Sequence, residues 1–501
     1  MKQLKPEMVW EIFDTIFLHT YHGSGHEPLI REKIKQWVEI HKESGLSVSE
    51  DTIGNLLIKK SASKGMEHVS PLILQGHLDM VCETDRPEGF DFEHSPILAQ
   101  ISSDHEWIQA DHTTLGADNG IGVSMALALL VENELSLKSG PIEVLLTVGE
   151  ETGLDGAFGL DPIKLGIMGK HLINIDSEDW GIITIGSAGG GDTTFERTLT
   201  WSESVPPKTL QFYQLSISGL FGGHSGVDIH LPRANAIVLI ARIMSAVLNG
   251  MDVWIANWTG GTKSNAIPRQ SVLKFAILSP NKTKLEEIVN QEKSAIEAYY
   301  CPSEKQTKFE PNLKIVLTPA DYDYILPASD SREILASACS IPHGVLKMSP
   351  DIPTLVETSN NFAIVKTEKS KISFVCMARS NVDAELAVIR RNFRRIADIG
   401  RWTVIEKPSY PGWKPDPTQS FLQFVSEIYE KHVGNALKIE AIHAGLECGI
   451  IGSKIAGMQM ISIGPTVKFP HTPGEKLQIA SVGQMYQLLT ETIIQFAKKH
   501  I

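Results

Sequence analysis

Residues 71–79 read PLILQGHLD, a short apolar run followed at once by a glycine, a histidine and an aspartate. A short apolar run bounded in this way is typical of a buried strand, and we predict one over Pro71–Gln75. Because His77 and Asp79 are two residues apart, an extended chain directs both side chains to the same side. This stretch therefore predicts a sheet with polar chemistry at the end of one strand.

Similar runs occur elsewhere in the chain and alternate with stretches of helical periodicity. Strands that alternate with helices predict an α/β layer fold, with a mostly parallel sheet flanked by helices. The further predicted strands are Ile142–Val148, His171–Ile175, Ile182–Ile185 and Met460–Ile463, and the predicted helices include Glu27–His41 and Gly120–Asn133.

Acidic and imidazole side chains follow several of these strands. Glu150 and Glu151 come after one strand, Asp176 after another, and His471 after the last one and a short loop. In an open α/β sheet, ligands bind outside the carboxyl ends of the strands. Asp118 lies just before a predicted helix, where backbone donors favour an anion. We therefore expect these side chains to meet at one edge of the sheet.

Histidine and carboxylate ligands without thiolates are typical of zinc, and also of cobalt or manganese. The set exceeds the three protein ligands of one catalytic zinc ion, which favours a two-metal centre. Because Glu150 and Glu151 are adjacent, their side chains diverge, so that one can bind metal while the other serves as a base. Asp79 could hydrogen-bond the ring nitrogen of His77 that does not bind metal.

Each motif taken alone has a simpler interpretation. A single His-x-Asp is more often part of a surface loop, and adjacent glutamates usually lie on a solvated face. Glycine-rich stretches such as 222–226 are commonly turns, and 186–191 could pass for a phosphate loop, but neither has the form of a nucleotide-binding loop. The shared position at strand ends is what favours the metal site.

The sequence pattern changes after the glycine cluster 186–191, which we interpret as a break. A proline-rich connector, 407–417, closes the region that follows. We predict a catalytic domain made of residues 1–189 and 406–501, interrupted by an inserted α+β lid domain over residues 190–405. The elements predicted for the insert are the strands Tyr213–Ser218, Val272–Leu278 and Lys371–Met377 and the helices Ala234–Asn249, Lys284–Ala298 and Asp383–Asp398.

Composition narrows the class of protein. The 501 residues contain 46 basic and 59 acidic side chains, and a formal net charge of −13 argues against nucleic acid as a partner. No apolar run approaches the ~20 residues of a membrane span, so we expect no membrane partner. The five cysteines are scattered without a C-x-x-C spacing, which favours reduced thiols and a cytoplasmic location.

At these residues the sequence resembles the M20 family of metallopeptidases, and most closely its aminoacyl-histidine dipeptidase branch, the peptidase D group of cytosolic non-specific dipeptidases. The similar segments follow the family order across nearly the whole chain. They are GHLDMV (76–81), TLGADNGIG (114–122), GEETGLDGA (149–157), INIDSED (173–179), FGGHSGVDI (221–229), KSNAIP (263–268), ARSN (378–381), HAGLECG (443–449) and IGPTVKFPHTPGE (463–475).

The resemblance implies a di-zinc site. By this resemblance, His77 and Asp176 hold one zinc ion, Glu151 and His471 hold the other, and Asp118 bridges them. Cobalt or manganese are expected substitutes.

The resemblance also implies a mechanism, in which a hydroxide bridging the two zinc ions attacks the peptide carbonyl. Glu150 would be the general base, and Asp79 would orient His77.

From the insert, the resemblance implies that His224 reaches the scissile carbonyl, often from the partner subunit of a homodimer. Asn265 and Arg379 would bind the carboxylate end of the substrate. A cis peptide bond is expected at Asp118–Asn119. Glu447 lies in a similar segment, where substrate binding and loop structure are equally open roles.

The expected substrates are unblocked dipeptides, Xaa-His among them, and other short peptides. A deacylase, a carboxypeptidase or a tripeptidase would use the same metals and differ in the residues that bind the substrate. A non-catalytic zinc-binding protein of the same fold is a further alternative, although retention of Glu150 argues against it.

Overall fold

The computed structural model describes residues 1, 3–202, 209–301, 309–322 and 324–499. The chain forms two compact units. The first comprises residues 1–187, 413–441 and 446–501, and the second comprises residues 188–412 and 442–445.

The first unit is built on an eight-stranded sheet whose four central strands run parallel. Three of the strands flanking these four, Leu46–Glu50, Leu56–Lys60 and Ile182–Ser187, pair antiparallel with their inner neighbours. In spatial order the strands are Leu46–Glu50, Leu56–Lys60, Ile142–Thr147, Leu72–His77, His171–Asn174, Gln459–Ser462, Ile182–Ser187 and Lys438–Ile442. A smaller sheet contains Val467–Lys468, Lys476–Gln478, Trp107–Ala110 and Ala99–Ile101.

The central strands form the core of this unit. Every residue of Leu72–His77 and of Ile142–Thr147 is buried, as expected for parallel strands covered by helices. The helix Ala117–Leu130 packs on Leu72–His77 and is buried over nearly its whole length. The helices of the unit are Glu7–Ile12, Pro28–Ile40, Ala117–Leu130, Asn133–Lys138, Asp155–Gly159, Pro162–Leu165, Ser420–Val433, Glu447–Lys454 and Ile479–Lys499, with a π-helical turn at Phe13–Phe17 and 3₁₀ turns at Lys42–Ser44 and Gly434–Ala436.

The second unit is an α+β unit, and its main sheet has nine antiparallel strands. Eight form a continuous path in the order Lys314–Pro319, Leu210–Ser218, Ser271–Leu278, Trp254–Gly260, Val356–Thr367, Lys371–Ser380, Gly189–Thr198 and Thr403–Glu406, and Gly344–Met348 pairs with Val356–Thr367. A separate two-stranded ribbon joins Gly223–His224 to Ala266–Ile267. The helices are Ala236–Leu248, Lys282–Tyr300, Ala328–Ser340 and Asp383–Gly400, with a 3₁₀ turn at Ser279–Asn281.

These helices cover the sheet with one apolar face. In Asp383–Gly400 the buried apolar residues Leu386, Ile389, Phe393 and Ala397 recur every three or four positions, which places them on one side of the helix. The predicted fold class, α/β with an inserted α+β unit, is confirmed.

The glycine cluster 186–191, interpreted from the sequence as a break in the pattern, contains the point where the first unit ends at Ser187 and the second begins at Ala188. Ile182–Ser187 and Gly189–Thr198 are both strands, and Gly189–Gly191 pair with Lys371–Ser380. A side chain at Gly189 would lie 2.4 Å from the backbone nitrogen of Gly412, so glycine is required by close approach of another chain segment.

Within the described part of the chain, none of the helices combines the length and the apolar character that a membrane crossing requires.

Candidate functional site

The carboxyl ends of three of the four parallel strands carry most of the predicted metal ligands. His77 is the last residue of Leu72–His77, and Glu150 and Glu151 follow Ile142–Thr147 after a two-residue turn. Asp176 comes two residues after His171–Asn174, the strand on the other side of Leu72–His77. Because these strands are parallel neighbours, their ends lie side by side.

His77 is a buried imidazole with a carbonyl on one side and two carboxylates on the other. Its Nδ1 lies 3.0 Å from the backbone oxygen of Asp79, so we assign the ring proton to Nδ1. Its Nε2 lies 3.0 Å from Oδ1 of Asp118 and 3.3 Å from Oδ1 of Asp176. An unprotonated nitrogen and two carboxylate oxygens thus face one another, an arrangement that a cation between them would stabilise.

Asp118 connects this group to a second one. Its other oxygen, Oδ2, lies 3.0 Å from Nε2 of His471, and the same nitrogen lies 2.9 Å from Oε1 of Glu151. The side chain of His471 is 47% exposed, whereas that of His77 is 1% exposed, so the group opens to solvent on the His471 side.

Three sets of donor atoms are close enough to hold a metal ion. In each set, one atom per residue lies within 4.8 Å of the others. The sets are His77, Asp118 and Asp176; Asp118, Glu151 and His471; and His77, Glu150 and Glu151.

Many acidic groups lie close together at this site, which favours the binding of a cation. Burial raises the pKa of Glu150 well above its usual value, and burial also raises the pKa of Glu178 to about 8. Hydrogen bonds with Asp118 and Glu151 raise the pKa of His471 to about 11. This donor set, rich in carboxylates and lacking thiolates, fits divalent cations.

Asn119 fixes the backbone next to Asp118. Its buried amide donates a 2.6 Å hydrogen bond to the backbone oxygen of Ile175, the residue before Asp176. Gly76 leaves room for this side chain, because a Cβ there would lie 2.2 Å from Oδ1 of Asn119. The Asp118–Asn119 peptide bond is cis, as the sequence resemblance predicts.

Asp79 contacts the backbone of both glutamates. Its Oδ1 accepts a hydrogen bond from the N–H of Glu150, and its Oδ2 accepts one from the N–H of Glu151. Ser24 donates to Oδ2 at 2.7 Å. Although burial alone would raise it, His77 and Ser24 hold the pKa of Asp79 at about 2, so this carboxylate remains an acceptor.

His224 lies in the second unit, in the ribbon strand Gly223–His224. Its Nδ1 accepts hydrogen bonds of 3.2 Å from the N–H groups of Gly226 and Val227. Burial and the charge of Arg379 lower the pKa of His224 to about 4, so the ring is neutral at pH 7. Because Nδ1 accepts, the proton of the neutral ring is on Nε2, which is left as a donor.

Arg379 is 4% exposed and lies in the same unit. It donates to Oγ of Ser225 at 3.3 Å and to Oη of Tyr410 at 2.8 Å. Within the described residues, no carboxylate comes within ion-pair distance of it. Asn265 is exposed, and its backbone oxygen accepts a 2.8 Å hydrogen bond from the N–H of Ser225.

Glu447 is buried beneath the strand ends. Its Oε2 accepts hydrogen bonds from Gln75 at 2.6 Å and from Thr147 at 2.7 Å. Burial raises the pKa of Glu447 to about 7.

Two residues at the first unit's site were not singled out by the sequence reasoning. Ser24 lies in the polar, glycine-containing segment GSGHE (23–27), and Glu475 ends the segment PHTPGE (470–475). The signal in the sequence was a polar side chain close to glycines. The hydrogen-bond partner of Ser24 lies 55 residues away along the chain, and those of Glu475 lie about 360 residues away.

Comparison with known proteins adds independent information. The peptidase dimerisation domain model matches residues 215–303. The chain is 36% identical over 500 residues to the cytosol non-specific dipeptidase of Escherichia coli (strain K12), an alignment that covers 100% of this chain and 99% of the relative.

Solved structures of other proteins are also similar to this chain. The aminoacylhistidine dipeptidase from Vibrio alginolyticus has a TM-score of 0.87 and 34% sequence identity, over 99% of this chain and 97% of that chain. A tripeptidase from Staphylococcus aureus has a TM-score of 0.55 and 16% identity, over 99% of both chains, which shows a shared fold only.

Proposed function

Because the chain belongs to the M20 family of metallopeptidases, we propose that it hydrolyses the peptide bond of unblocked dipeptides, including those with a C-terminal histidine. The observation that carries this proposal is the position of Asp118, whose two oxygens lie 3.0 Å from His77 and 3.0 Å from His471. Two similar proteins of nearly equal extent are named as dipeptidases, which supports dipeptides over longer substrates.

The proposed cofactors are two zinc ions, with cobalt or manganese as substitutes. His77 and Asp176 would hold one ion, Glu151 and His471 the other, and Asp118 would serve both. The three overlapping sets of donor atoms support this assignment. When bound, the cations supply Lewis-acid chemistry: they polarise the scissile carbonyl and lower the pKa of a water towards ~7.

Glu150 is the proposed general base. Within the described part of the chain, its carboxylate has neither a hydrogen-bond nor an ion-pair partner, so it is free to receive a proton. It lies within 4.8 Å of the donor atoms of His77 and Glu151. Because burial raises its pKa, Glu150 can hold the proton of the attacking water and pass it to the leaving amine.

The second unit supplies the proposed contacts to the substrate. The Nε2–H of His224 would donate to the oxygen that becomes negative as the carbonyl is attacked. Arg379 and Asn265 would bind the substrate carboxylate. A buried guanidinium without a carboxylate partner among the described residues supports this role for Arg379.

We further propose a homodimer in the cytoplasm. The match to the peptidase dimerisation domain supports the dimer. The location is supported by the five cysteines, which form no disulfide within the described residues, and by the cytosolic designation of the Escherichia coli relative.

The test is a substrate panel with purified protein. Ala-Ala and Ala-His should be cleaved to free amino acids, N-acetyl-Ala-Ala should not, and a chelator should abolish the activity until zinc is restored. Preferred cleavage of N-acetyl-Ala-Ala would indicate a deacylase if acetate is released and a carboxypeptidase if alanine is released, and preferred cleavage of Ala-Ala-Ala would indicate a tripeptidase. Protein that binds two ions and cleaves none of these peptides would be a non-catalytic metal-binding protein.

A further inference from the structure

Glu475 is a carboxylate, 2% exposed, that contacts the backbone leading to Asp118. Its Oε2 accepts hydrogen bonds from the N–H groups of Leu115 at 2.7 Å and Gly116 at 3.1 Å. Its Oε1 accepts from those of Ala117 at 2.8 Å and Asp118 at 3.2 Å. One side chain therefore binds four consecutive N–H groups.

These N–H groups lie where the helix Ala117–Leu130 begins, and the first N–H groups of a helix have no partner inside it. A carboxylate at this end also interacts favourably with the helix dipole. The backbone at Asp118 and Asn119 is not helical, so helix geometry alone does not set the direction of the Asp118 side chain. The contacts of Glu475 restrict the segment at this point.

Glu475 also lies four residues after His471 on one short segment. The N–H of Glu475 donates to the oxygen of Thr472 at 3.0 Å, and Oγ1 of Thr472 donates to the oxygen of Phe469 at 2.8 Å, so the segment is a compact turn. This turn carries the imidazole that lies 3.0 Å from Asp118. Asp118 and His471 are thus joined through Glu475.

We infer that Glu475 is a positioning residue, which sets the distance between Asp118 and His471 and thereby the affinity of the Asp118, Glu151 and His471 group for a divalent cation. This inference rests on the proposed metal centre. A purely structural role would lower the stability of the fold and leave the affinity of the folded protein for cations unchanged.

The experiment is a cobalt titration of chelator-treated full-length protein, followed by visible absorption, for wild type, Glu475→Gln and Glu143→Gln. Glutamine keeps the size of the side chain but replaces one accepting oxygen with an NH₂ group. Glu143 is the matched control, because it is also 2% exposed and accepts hydrogen bonds from the N–H groups of Met168 and Gly169. It lies near the amino end of its strand, away from Glu150.

Wild type should bind two cobalt ions. Glu475→Gln should remain folded by circular dichroism and bind one ion about 10- to 100-fold more weakly, with a changed cobalt spectrum. Glu143→Gln should keep both affinities and the wild-type spectrum. Glu475→Asp, which has the charge on a shorter side chain, should weaken the binding of the same ion. This variant keeps the test available if the glutamine variant does not fold.

Wild-type cobalt affinities and spectrum in folded Glu475→Gln or Glu475→Asp would overturn this inference alone. A wild-type protein that binds no cobalt would overturn the proposed metal centre, and this inference with it.

Discussion

Oδ1 of Asp79 accepts a 2.9 Å hydrogen bond from the backbone N–H of Glu150. Oδ2 accepts a further one from the N–H of Glu151 at 3.1 Å, whereas Nδ1 of His77 meets the backbone oxygen of Asp79 and lies 3.5 Å from its carboxylate. Asp79 therefore holds the turn that carries the proposed base and a proposed ligand.

Asp79→Asn should lower kcat about 10- to 100-fold while the protein remains folded. The new NH₂ group cannot accept from a backbone N–H, so the turn of Glu150 loses one of its restraints. Steady-state kinetics on a dipeptide measure the effect. The control is Asp85→Asn, at an exposed aspartate that pairs with His112, and this change should leave kcat unchanged. A wild-type kcat in Asp79→Asn would contradict the prediction.

Glu150→Gln should keep both metal ions and reduce turnover about 10²- to 10⁴-fold, because the amide cannot take a proton from water. Metal analysis and kcat are measured on the same sample. Glu151→Gln is the contrasting variant and should lose bound metal as well as turnover. Normal activity in Glu150→Gln would remove Glu150 as the base.

Gly76→Ala should weaken metal binding, because the added Cβ would lie 2.2 Å from Oδ1 of Asn119 and displace the residue that follows Asp118. Cobalt affinity of the chelator-treated protein is the readout. Gly483→Ala serves as the control, since its nearest neighbour would be the oxygen of Lys5 at 3.5 Å. Equal cobalt affinity in the two variants would count against this account of Gly76.

Arg379→Met should raise KM for dipeptides with a free C-terminus about 10- to 100-fold, the value of one or two charge-assisted hydrogen bonds. The corresponding dipeptide amides, which lack the carboxylate, should be affected little. The ratio of kcat/KM for acid and amide measures the contact. If kcat/KM falls equally for the acid and the amide, Arg379 does not bind the carboxylate.

His443 predicts a pH-dependent stability. It is buried with Nε2 2.7 Å from Oγ of Ser359, and burial and Arg379 lower its pKa to about 3. In the unfolded chain the pKa of this imidazole is near 6.5, so it binds a proton at a higher pH than in the folded protein. The contribution of neutral His443 to the free energy of unfolding is therefore complete above pH 6.5 and is lost as the pH falls towards 3. From pH 7 to pH 5 the loss is about 2 kcal/mol.

Urea unfolding at pH 7 and pH 5 tests this, with His443→Gln expected to lose less stability between the two than wild type. Glutamine can still hydrogen-bond Ser359 and does not titrate. His94→Gln, at an exposed position, should behave as wild type. An unchanged pH dependence in His443→Gln would refute the assignment.

Much of the fold could be predicted, because buried strands and amphipathic helices have distinct periodicities. The strand predicted at His171–Ile175 is His171–Asn174 in the structure, and the helix predicted at Asp383–Asp398 is Asp383–Gly400. The close approach that requires glycine at Gly189 could not be predicted, because glycine required by close packing looks, in sequence, like glycine required by a turn.

The candidate site could be predicted in part. His77, Glu151 and Asp176 were recognisable because they stand directly at strand ends, and the structure brings them close to Asp118 and His471; their roles remain predictions. The contact of Glu475 with residues 115–118 could not be predicted, since it joins segments about 360 residues apart through backbone N–H groups that every residue possesses.

Asp118 faces two imidazoles with its two oxygens, and this has a thermodynamic consequence. If one carboxylate serves both ions, an ion at either position orders that carboxylate for the other, and the second ion meets a side chain already fixed. Loading should then be cooperative, and by linkage the first ion raises the affinity for the second by the same factor whichever position is filled first.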